Sequence, residues 1–396
     1  MPSPNHLDST SLKNRRSFIK LLGGGVVLAA LPSLSGCSSA IPSAAVEAWN
    51  SAPPQGDARR YMLAHALLAP NPHNRQPWIA ELTRPNEITL LCDENRLLPE
   101  TDPFGRQILI GCGAFIELAV IAGAQLGYRV EVQAFPNGAP DLRSLPRGST
   151  VARLVLTQDA AIKPDPLFAQ IRRRHTNKSV YDSAKTIPSA QWQSLLAPAQ
   201  ALGLKAGAIN ERATIDQVRG ITRSSYEVEM LTPRTYLESA HLMRIGGSEI
   251  AQHRDGISIA SPMVNALSTF GLFNRFEVPK TGSSNYGKIM ERWLPFETGS
   301  GYLWIAASAQ SRAAQLNAGR AYVRCHLAAT ALGIDMHPLS QALQEFAEVR
   351  PQFAALHALL GLDPAQETLQ MLARVGVGAS AGEASPRRPI AGMIRA

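Results

Sequence analysis

The chain has 396 residues, of which 45% are apolar and 18% are charged. This apolar content allows a large folded core and excludes disorder of the whole chain, and the length suggests two or three domains. Lysine and arginine number 39 against 31 aspartates and glutamates, so the net charge is +8, of which residues 1–36 carry +3. The rest is only mildly basic and has no basic stripe or known module, so nucleic acid is not an expected partner.

The N-terminal residues are typical of an export signal. Residues 14–20 read NRRSFIK, and the apolar run Leu21–Leu31 that follows is too short to span a bilayer. Two adjacent arginines followed by Ser, Phe and Lys resemble the twin-arginine signal, which exports proteins that are already folded. Because this route suits proteins that receive a cofactor before export, the signal favours a bound cofactor.

A lipid attachment site is predicted directly after this run. Leu34-Ser35-Gly36-Cys37 resembles a lipobox, in which Cys37 receives the lipid and becomes the first mature residue. Cleavage at small residues near Ala40 or Ala45 is the alternative. The sequence thus predicts a signal peptide over 1–36 and a flexible tether over 37–56. The expected location is the periplasm, with the signal or lipid anchor as the only membrane contact.

The other cysteines do not indicate a metal site. Positions 92, 112 and 325 offer no CxxC pair and no zinc-like Cys/His spacing, so no metal is expected. Cys92 and Cys112 could pair in an oxidising compartment, whereas Cys325 lies on an apolar helix and is typical of a core residue.

From Asp57 onward, helical and strand patterns alternate. Asp57 suits the N-cap of a helix over 57–69, and Pro70 suits its end. Further helices are predicted at 105–126, 165–173, 188–197, 211–230 and 311–332. Strands are predicted at 86–92, 128–135, 151–157, 302–308 and 368–375. Such an alternation indicates an α/β or α+β sheet domain.

Two internal echoes indicate a duplicated unit. Leu-Leu-Ala-Pro ends a predicted helix at 67–70 and again at 195–198, which is 128 residues later. The helix from Gly113 to Gly127 has a counterpart of equal length from Gly319 to Gly333, at an offset of 206 residues. The second copy therefore carries about 78 extra residues.

These echoes divide the chain into a first half over 57–164 and a second half over 165–396. The extra segment includes 252–301, which is long, rich in Gly and Ser, and dotted with aromatic residues. Long loops of this kind are lids, binding loops or disordered segments, and the aromatic residues favour a lid.

Residues 69–78 read APNPHNRQPW and carry the most specific motif. Asn74, Gln76, Pro77 and Trp78 match a loop of the flavin-dependent nitroreductases, which the segment resembles; it also includes Asn71 and His73. In that family the loop presents side-chain and backbone groups to FMN. The edge of the flavin ring needs partners that donate and accept hydrogen bonds, as Asn and Gln do. An ordinary proline-rich turn before a strand is the alternative.

A second segment, IRRRHTNKSVYD at 171–182, is similar to the phosphate-binding segment of the Acg-like branch of this family. Its candidate FMN ligands are Arg172, Arg173, Arg174, His175, Thr176, Asn177 and Lys178. The family also ends with a basic segment that touches the phosphate, for which SPRRPI offers Arg387 and Arg388. Arginine suits a phosphate dianion because its guanidinium donates as a fork. A solvated basic helix end or basic tail is the alternative.

The resemblance implies an α+β nitroreductase-like fold whose two tandem copies form a pseudo-dimer within one chain. Only the first half keeps the APNPHNRQPW loop, and only the second keeps the basic segment. In the family each flavin lies at a dimer interface, so this complementary loss predicts one complete FMN site per monomer and one dead site.

The expected function is that of an FMN-binding oxidoreductase, in which a hydride or electrons pass through flavin N5 to an unknown acceptor. The resemblance implies NAD(P)H as the donor, and a membrane quinol is a second candidate. No amino-acid acid or base is assigned. The alternative is a protein that binds or stores flavin without turnover.

Overall fold

The computed structural model describes residues 41–308 and 310–395. The predicted export signal and Cys37 lie outside these residues. Within them, one helix, Arg106–Gln125, is long and apolar enough to cross a membrane, but most of it is buried inside the fold as a core helix.

The strands, in chain order, are β1 (Trp78–Glu81), β2 (Glu87–Cys92), β3 (Tyr128–Ala134), β4 (Thr150–Gln158), β5 (Lys205–Ile209), β6 (Met243–Ile245), β7 (Ile257–Ile259), β8 (Gly301–Ala307), β9 (Asp335–Pro338), β10 (Thr368–Gly376) and β11 (Ile394–Arg395). The α-helices are α1 (Ala58–Ala66), α2 (Arg106–Gln125), α3 (Ser189–Ala201), α4 (Arg212–Leu231), α5 (Pro233–Leu242), α6 (Gly246–His253), α7 (Pro262–Thr269), α8 (Ser284–Glu291), α9 (Arg312–Ala331) and α10 (Arg350–Leu359).

Apart from the added edge strand β11, the two main sheets have the same strand order. The first runs β11-β1-β2-β4-β3 and the second runs β5-β8-β10-β9. In each, a long helix, α2 or α9, joins the second strand to the third, and the fourth strand lies between them. All neighbours in these sheets are antiparallel except β11 and β1. This mixture of helices and antiparallel sheets confirms the α+β prediction.

The helices α2 and α9 cross at two glycines. A Cβ on Gly113 would lie 2.0 Å from the carbonyl oxygen of Leu316, and a Cβ on Gly319 would lie 1.9 Å from that of Ile110. Leu316 and Gly319 follow Ile110 and Gly113 by the same 206 residues. Each helix therefore presents the same surface to the other, and only glycine permits so close an approach.

Two predicted helices differ from the structure, one in its end and the other in its type and length. Pro198 does not end a helix, because α3 continues through it to Ala201; the proline removes one helical hydrogen bond, the one to the carbonyl of residue 194, and the helix tolerates this loss. The helix predicted over 165–173 is only a short 3₁₀ helix, Pro166–Gln170. The chain leaves it before Arg174, whose side chain binds a carbonyl of the first half.

The segment predicted as a flexible tether is in part ordered, which corrects the prediction. Residues Ser43–Trp49 form a 3₁₀ helix in which Ala45 and Trp49 are buried. The indole N–H of Trp49 donates to the carbonyl of Ser385 at 2.8 Å. A large aromatic side chain therefore anchors this stretch to the core.

The two halves differ most between their first and second strands. Residues 82–86 join β1 to β2, whereas residues 210–300 join β5 to β8 and contain the helices α4 to α8. We call the whole connection from residue 210 to residue 300 the insertion. The segment predicted as a lid, 252–301, is its later part.

Cys92 and Cys112 are buried free thiols rather than a disulfide. The pKa of Cys92 is raised by the adjacent Cys112 thiol and by burial. Cys325 is also free and buried, in agreement with the expected core position.

Candidate functional site

The loop that joins α1 to β1 has a strained backbone. His73, Asn74 and Gln76 have φ values of 46°, 50° and 51°, a left-handed region that is uncommon for residues other than glycine. Asn71 closes the loop, since its side-chain oxygen accepts from the Gln76 backbone N–H at 2.7 Å and its amide donates to Ala69 at 3.1 Å. Strain of this kind is typical of functional loops.

Side-chain amides tie this loop to the basic segment near the C-terminus. Asn74 donates to the carbonyl of Pro386 at 2.9 Å and accepts from the Arg387 guanidinium at 2.9 Å. Gln76 accepts from the backbone N–H of Arg388 at 2.8 Å. Two segments that the sequence assigns to one site, more than 300 residues apart, therefore meet.

The insertion covers the same loop. The Gln76 amide donates to the carbonyl of Arg254 at 2.8 Å, and the Gly256 N–H donates to the carbonyl of Asn74 at 3.3 Å. Both side-chain amides predicted to face the flavin edge are thus hydrogen bonded to the chain itself. Burial explains this, because a buried amide without a partner is costly.

An ionic cluster holds the insertion in place. Asp255 accepts from Arg96 at 2.7 Å and from Arg244 at 2.9 Å, and Arg75 lies 3.7 Å away. Although burial opposes them, Arg96 and Arg244 hold the pKa of Asp255 below its ordinary value. Arg75 and Arg96 belong to the first half and Arg244 to the insertion, so one carboxylate joins the two.

Two arginines lie side by side at the end of α1. Arg174 donates to the carbonyl of Leu68 at 2.9 Å, and Arg387 donates to the carbonyls of Leu67, Leu68 and Ala69 at 2.8, 3.0 and 3.1 Å. Both guanidiniums are buried, and both contact the same Leu68 oxygen. Burial lowers the pKa of Arg174 to about 10, and burial together with Arg174 lowers that of Arg387 to about 9.

The cations of this region have no acidic partner in the part of the chain that the structure describes. Among the described residues no carboxylate lies within 4 Å of Arg172, Arg173, Arg174, Lys178, Arg387 or Arg388. The carbonyl end of α1 supplies only a partial negative charge. A buried pair of like charges without a counterion is costly, so this arrangement suits an anion.

Trp49 completes the arginine pair. Its ring lies 5.7 Å from the guanidinium carbon of Arg174 and 5.1 Å from that of Arg387. His175 packs on the same ring at 4.6 Å, and burial and the two arginines lower the pKa of His175 to about 4. Sequence reasoning missed Trp49; the only available signal was one large aromatic residue in a small, polar stretch.

The remaining predicted residues either make other contacts or have exposed or half-buried side chains. Arg172 donates to the Trp49 carbonyl at 3.2 Å, and Asn177 donates to the Ser380 carbonyl at 2.7 Å. Arg173 and Lys178 have exposed side chains, whereas Thr176 is half-buried. Pro77 precedes β1, and its carbonyl accepts from the Asp93 N–H at 3.1 Å.

Four predicted site residues carry a buried polar atom without a hydrogen-bond partner in the described part of the chain. These atoms are Nδ1 of His73, Nε of Arg174, Nδ1 of His175 and Nε of Arg388. Groups left unpaired in this way mark places where a polar ligand or water binds. Within residues 41–308 and 310–395, no three His, Cys, Asp or Glu side chains are grouped as metal ligands.

The insertion adds a carboxyl group that sequence reasoning missed. Glu229 of α4 lies with Oε1 3.9 Å from Nε2 of His73 and is buried. Burial raises the pKa of Glu229 to about 7. No sequence signal separated this glutamate from the other acids of its helix.

Sequence comparisons give full-length and local relatives, although no protein-family model matches the chain. A Mycobacterium tuberculosis protein named as an NAD(P)H nitroreductase is 26% identical over 365 residues, which cover 90% of this chain and 96% of that protein. The M. tuberculosis NAD(P)H nitroreductase acg is 42% identical over 74 residues, covering 18% of this chain and 22% of that protein.

Comparison of structures gives weaker similarity. The FMN-dependent nitroreductase NfnB of Mycobacterium smegmatis, solved with NADPH, is 12% identical and covers 58% of this chain and 97% of its own, with a TM-score of 0.36. A TM-score this low supports no inference about function. The sequence relationship is the informative one: the chain is similar over almost its whole length to a protein named as an NAD(P)H nitroreductase, and over a short segment to acg.

Proposed function

We propose that this protein binds one FMN per chain, without a covalent bond, and is an FMN-dependent oxidoreductase of the nitroreductase type. The observation that carries the proposal is the buried pair Arg174 and Arg387, which has no carboxylate partner among the described residues. A phosphate monoester supplies the missing negative charge and accepts from guanidiniums. The relatives named as NAD(P)H nitroreductases support the same reading.

The unpartnered atoms fit the two ends of FMN. Arg174, Arg387 and His175 would hold the phosphate, because the free Nε of Arg174 and Nδ1 of His175 lie in that cluster. The ring would lie toward the loop, where Nδ1 of His73 is also free. When bound, FMN supplies hydride or electron transfer at N5. The chain contributes a site that binds the cofactor and that the insertion covers.

The donor proposed first is NAD(P)H, on the basis of the relatives' names. A membrane quinol is the second candidate if the chain is anchored through Cys37 after export. We further propose that the two halves are copies of one unit and together act as a monomeric pseudo-dimer. The equal strand orders and the reciprocal glycine crossing support this proposal.

The first experiment measures flavin uptake. The purified full-length protein is incubated with FMN or with riboflavin, which lacks the phosphate, and bound flavin is quantified by absorbance and fluorescence. We expect one FMN per chain and at least about 100-fold weaker riboflavin binding, because two charge-assisted contacts are lost. Equal affinity for both ligands would remove the phosphate assignment, and failure to bind either would end the proposal.

The second experiment separates turnover from storage. Storage is favoured by one observation, namely that the Asp255 cluster holds the insertion over the loop. The FMN-loaded protein is mixed anaerobically with NADH, NADPH or a quinol. Rapid bleaching of the flavin band by any of them supports the oxidoreductase, and the effective donor is then known. A flavin that none of them bleaches supports storage.

The proposed export route is tested separately. Expression of the full chain with Cys37→Ser should leave the protein unlipidated, so that it leaves the membrane fraction. Replacement of Arg15 and Arg16 by Lys should block export. Membrane association that survives the cysteine change would contradict the lipid anchor.

A further inference from the structure

The proposed function assigns no role to the pair formed by His73 and Glu229. Oε1 of Glu229 lies 3.9 Å from Nε2 of His73 and accepts from the Ser239 hydroxyl at 3.4 Å. Oε2 has no hydrogen-bond partner in the described part of the chain, and neither has Nδ1 of His73. The nearby Gln341 and Gln344 also have side-chain oxygens without a partner there.

A charged carboxylate is poorly stabilised in this surrounding. No arginine or lysine forms an ion pair with Glu229 among the described residues. Burial raises its pKa to about 7, which Gln344, Ser239 and Gln341 oppose and Glu238 reinforces. Burial, Lys178 and Arg75 lower the pKa of His73 to about 4. Near neutral pH the pair therefore consists of a neutral imidazole beside a carboxyl group that still holds much of its proton.

We infer that Glu229 is the internal proton donor of this site and that His73 carries the proton to the loop. The inference rests on the proposed function. Once a side-chain movement closes the gap of 3.9 Å between Oε1 and Nε2 to hydrogen-bond distance, the neutral imidazole can accept a proton at Nε2 and release another from Nδ1. The free Nδ1 lies on the loop that the resemblance assigns to the flavin, so the released proton reaches the place where an acceptor would react.

The chemistry that needs this proton is the reduction of a neutral acceptor with an oxygen atom, such as a quinone carbonyl. Q + H⁻ + H⁺ gives QH₂, in which the reduced flavin of the proposed function supplies the hydride and is itself reoxidised. The Glu229 carboxyl supplies the proton and becomes a carboxylate. Because the insertion covers the loop, an internal donor replaces bulk water as the proton source.

A cavity next to Gln344 offers the route by which Glu229 regains its proton. The cavity has a volume of about 390 Å³ and lies between the halves, where Arg106, Gln315, Glu345 and Gln370 also line it. Gln344 lines the cavity and also contributes to the surroundings of Glu229. Water that enters from the cavity beside this side chain can therefore return the proton to Glu229, because the amide of Gln344 itself carries no proton.

The first test needs no flavin. Infrared difference spectra of the full-length protein are recorded across pH 5 to 9 for the wild type, Glu229→Gln and Glu227→Gln. Glu227 lies on the same helix as Glu229, but it accepts from the Tyr286 hydroxyl instead of facing His73, so it is the matched control. We expect a protonated carboxyl band that disappears with a midpoint near the Glu229 pKa of about 7, and that is missing only in Glu229→Gln. Burial also raises the pKa of Asp102 to about 6, so Asp102 adds a carboxyl band to all three proteins. The inference would be overturned if Glu229→Gln left the band with the midpoint near pH 7 at full intensity.

The second test uses the flavin-loaded protein in stopped-flow experiments. Glu229→Gln should slow reoxidation by a quinone roughly 100-fold and flatten its pH profile, whereas reduction by the donor stays unchanged. His73→Gln should slow reoxidation similarly, and Glu227→Gln should match the wild type. Unchanged reoxidation in Glu229→Gln would overturn the donor role. Failure to bind flavin would instead contradict the proposed function, and the infrared result would still decide whether Glu229 holds a proton.

Discussion

The segment before the first strand differs completely between the two halves. In the first half, α1 ends at Ala66 and a strained loop leads to Trp78. In the second half, α3 continues to Ala201 and reaches Lys205 through an ordinary glycine turn at Gly203. The strand orders are nevertheless the same. The sheets can thus keep one plan while a few residues at a helix end decide which half contributes to the proposed site.

The comparison also explains which backbone groups Arg174 and Arg387 bind. Because α1 stops at Ala66, the carbonyls of Leu67, Leu68 and Ala69, which directly follow it, are free to accept from Arg174 and Arg387. Both arginines come from the second half of the chain. The site is therefore built from the helix end of one half and the cations of the other.

The strongest way to break this arrangement is to remove the two cations. Arg174→Lys/Arg387→Lys should weaken FMN binding by at least about 100-fold, because two charged hydrogen bonds of roughly 1.5–3 kcal/mol each are lost or weakened. Fluorescence titration with FMN measures the effect. The matched control is Arg173→Lys, since the Arg173 side chain is exposed. Equal loss in the control would place the phosphate elsewhere.

The shared core of the halves can be broken at the helix crossing. Gly319→Ala should lower the free energy of unfolding by about 3 kcal/mol, because its Cβ would lie 1.9 Å from the Ile110 carbonyl oxygen. Gly220→Ala is the control: its Cβ meets open space on α4, so a gain of up to about 1 kcal/mol is expected. Urea unfolding measures both variants. Equal stability of the two would contradict the close approach of the helices.

The insertion, which has no counterpart in the first half, should give the protein a pH-dependent stability. Glu229 keeps its proton up to a pKa of about 7 when folded, against 4.5 in the unfolded chain. Folding therefore takes up a proton between these values, and this contribution, up to about 3 kcal/mol, is complete below pH 4.5 and lost as pH rises through 7.

This dependence is isolated by subtracting the unfolding free energies of Glu229→Gln from those of the wild type at each pH. The subtraction matters because His73 and His175, whose pKa values are lowered to about 4, change stability in the opposite direction. A difference that stays constant from pH 4 to 8 would show that Glu229 titrates normally.

The smallest expected effect compares the two helix ends directly. Asn74→Ala removes the contacts with Pro386 and Arg387 and should weaken FMN binding roughly 10-fold, about 1.4 kcal/mol. Gln200→Ala changes an exposed polar residue at the end of α3 and should leave binding unchanged. If both variants retain FMN equally, the strained loop is not part of the site.

Local patterns predicted much of the fold. The long helices at 105–126 and 311–332 and the strands at 86–92 and 302–308 agree with the structure to within a residue or two, because their apolar periodicity and caps are strong. Pro198 misled the prediction because position within a helix, rather than residue type alone, decides whether proline ends it.

The candidate site was predictable only where its residues form a motif. Asn74 and Arg387 meet although they are 313 residues apart, and the resemblance to the family is what brought them together. Trp49 and Glu229 belong to no motif; their importance depends on tertiary contacts and burial, which no local pattern records. The partners of the Asn74 and Gln76 side chains, at residues 386–388 and at Arg254, are equally remote in sequence, so no local pattern predicts these contacts.

The indole of Trp49 and the guanidinium of Arg387 come from opposite ends of the described chain, and both are needed for one cluster. Since ribosomes make proteins from the N-terminus, Trp49 emerges early and must wait for more than 300 later residues before its partner exists. The cluster therefore cannot mature during synthesis, and closing so long a loop makes it a late event in folding. Bound cofactor would then report that a newly made molecule has folded through to its final segment.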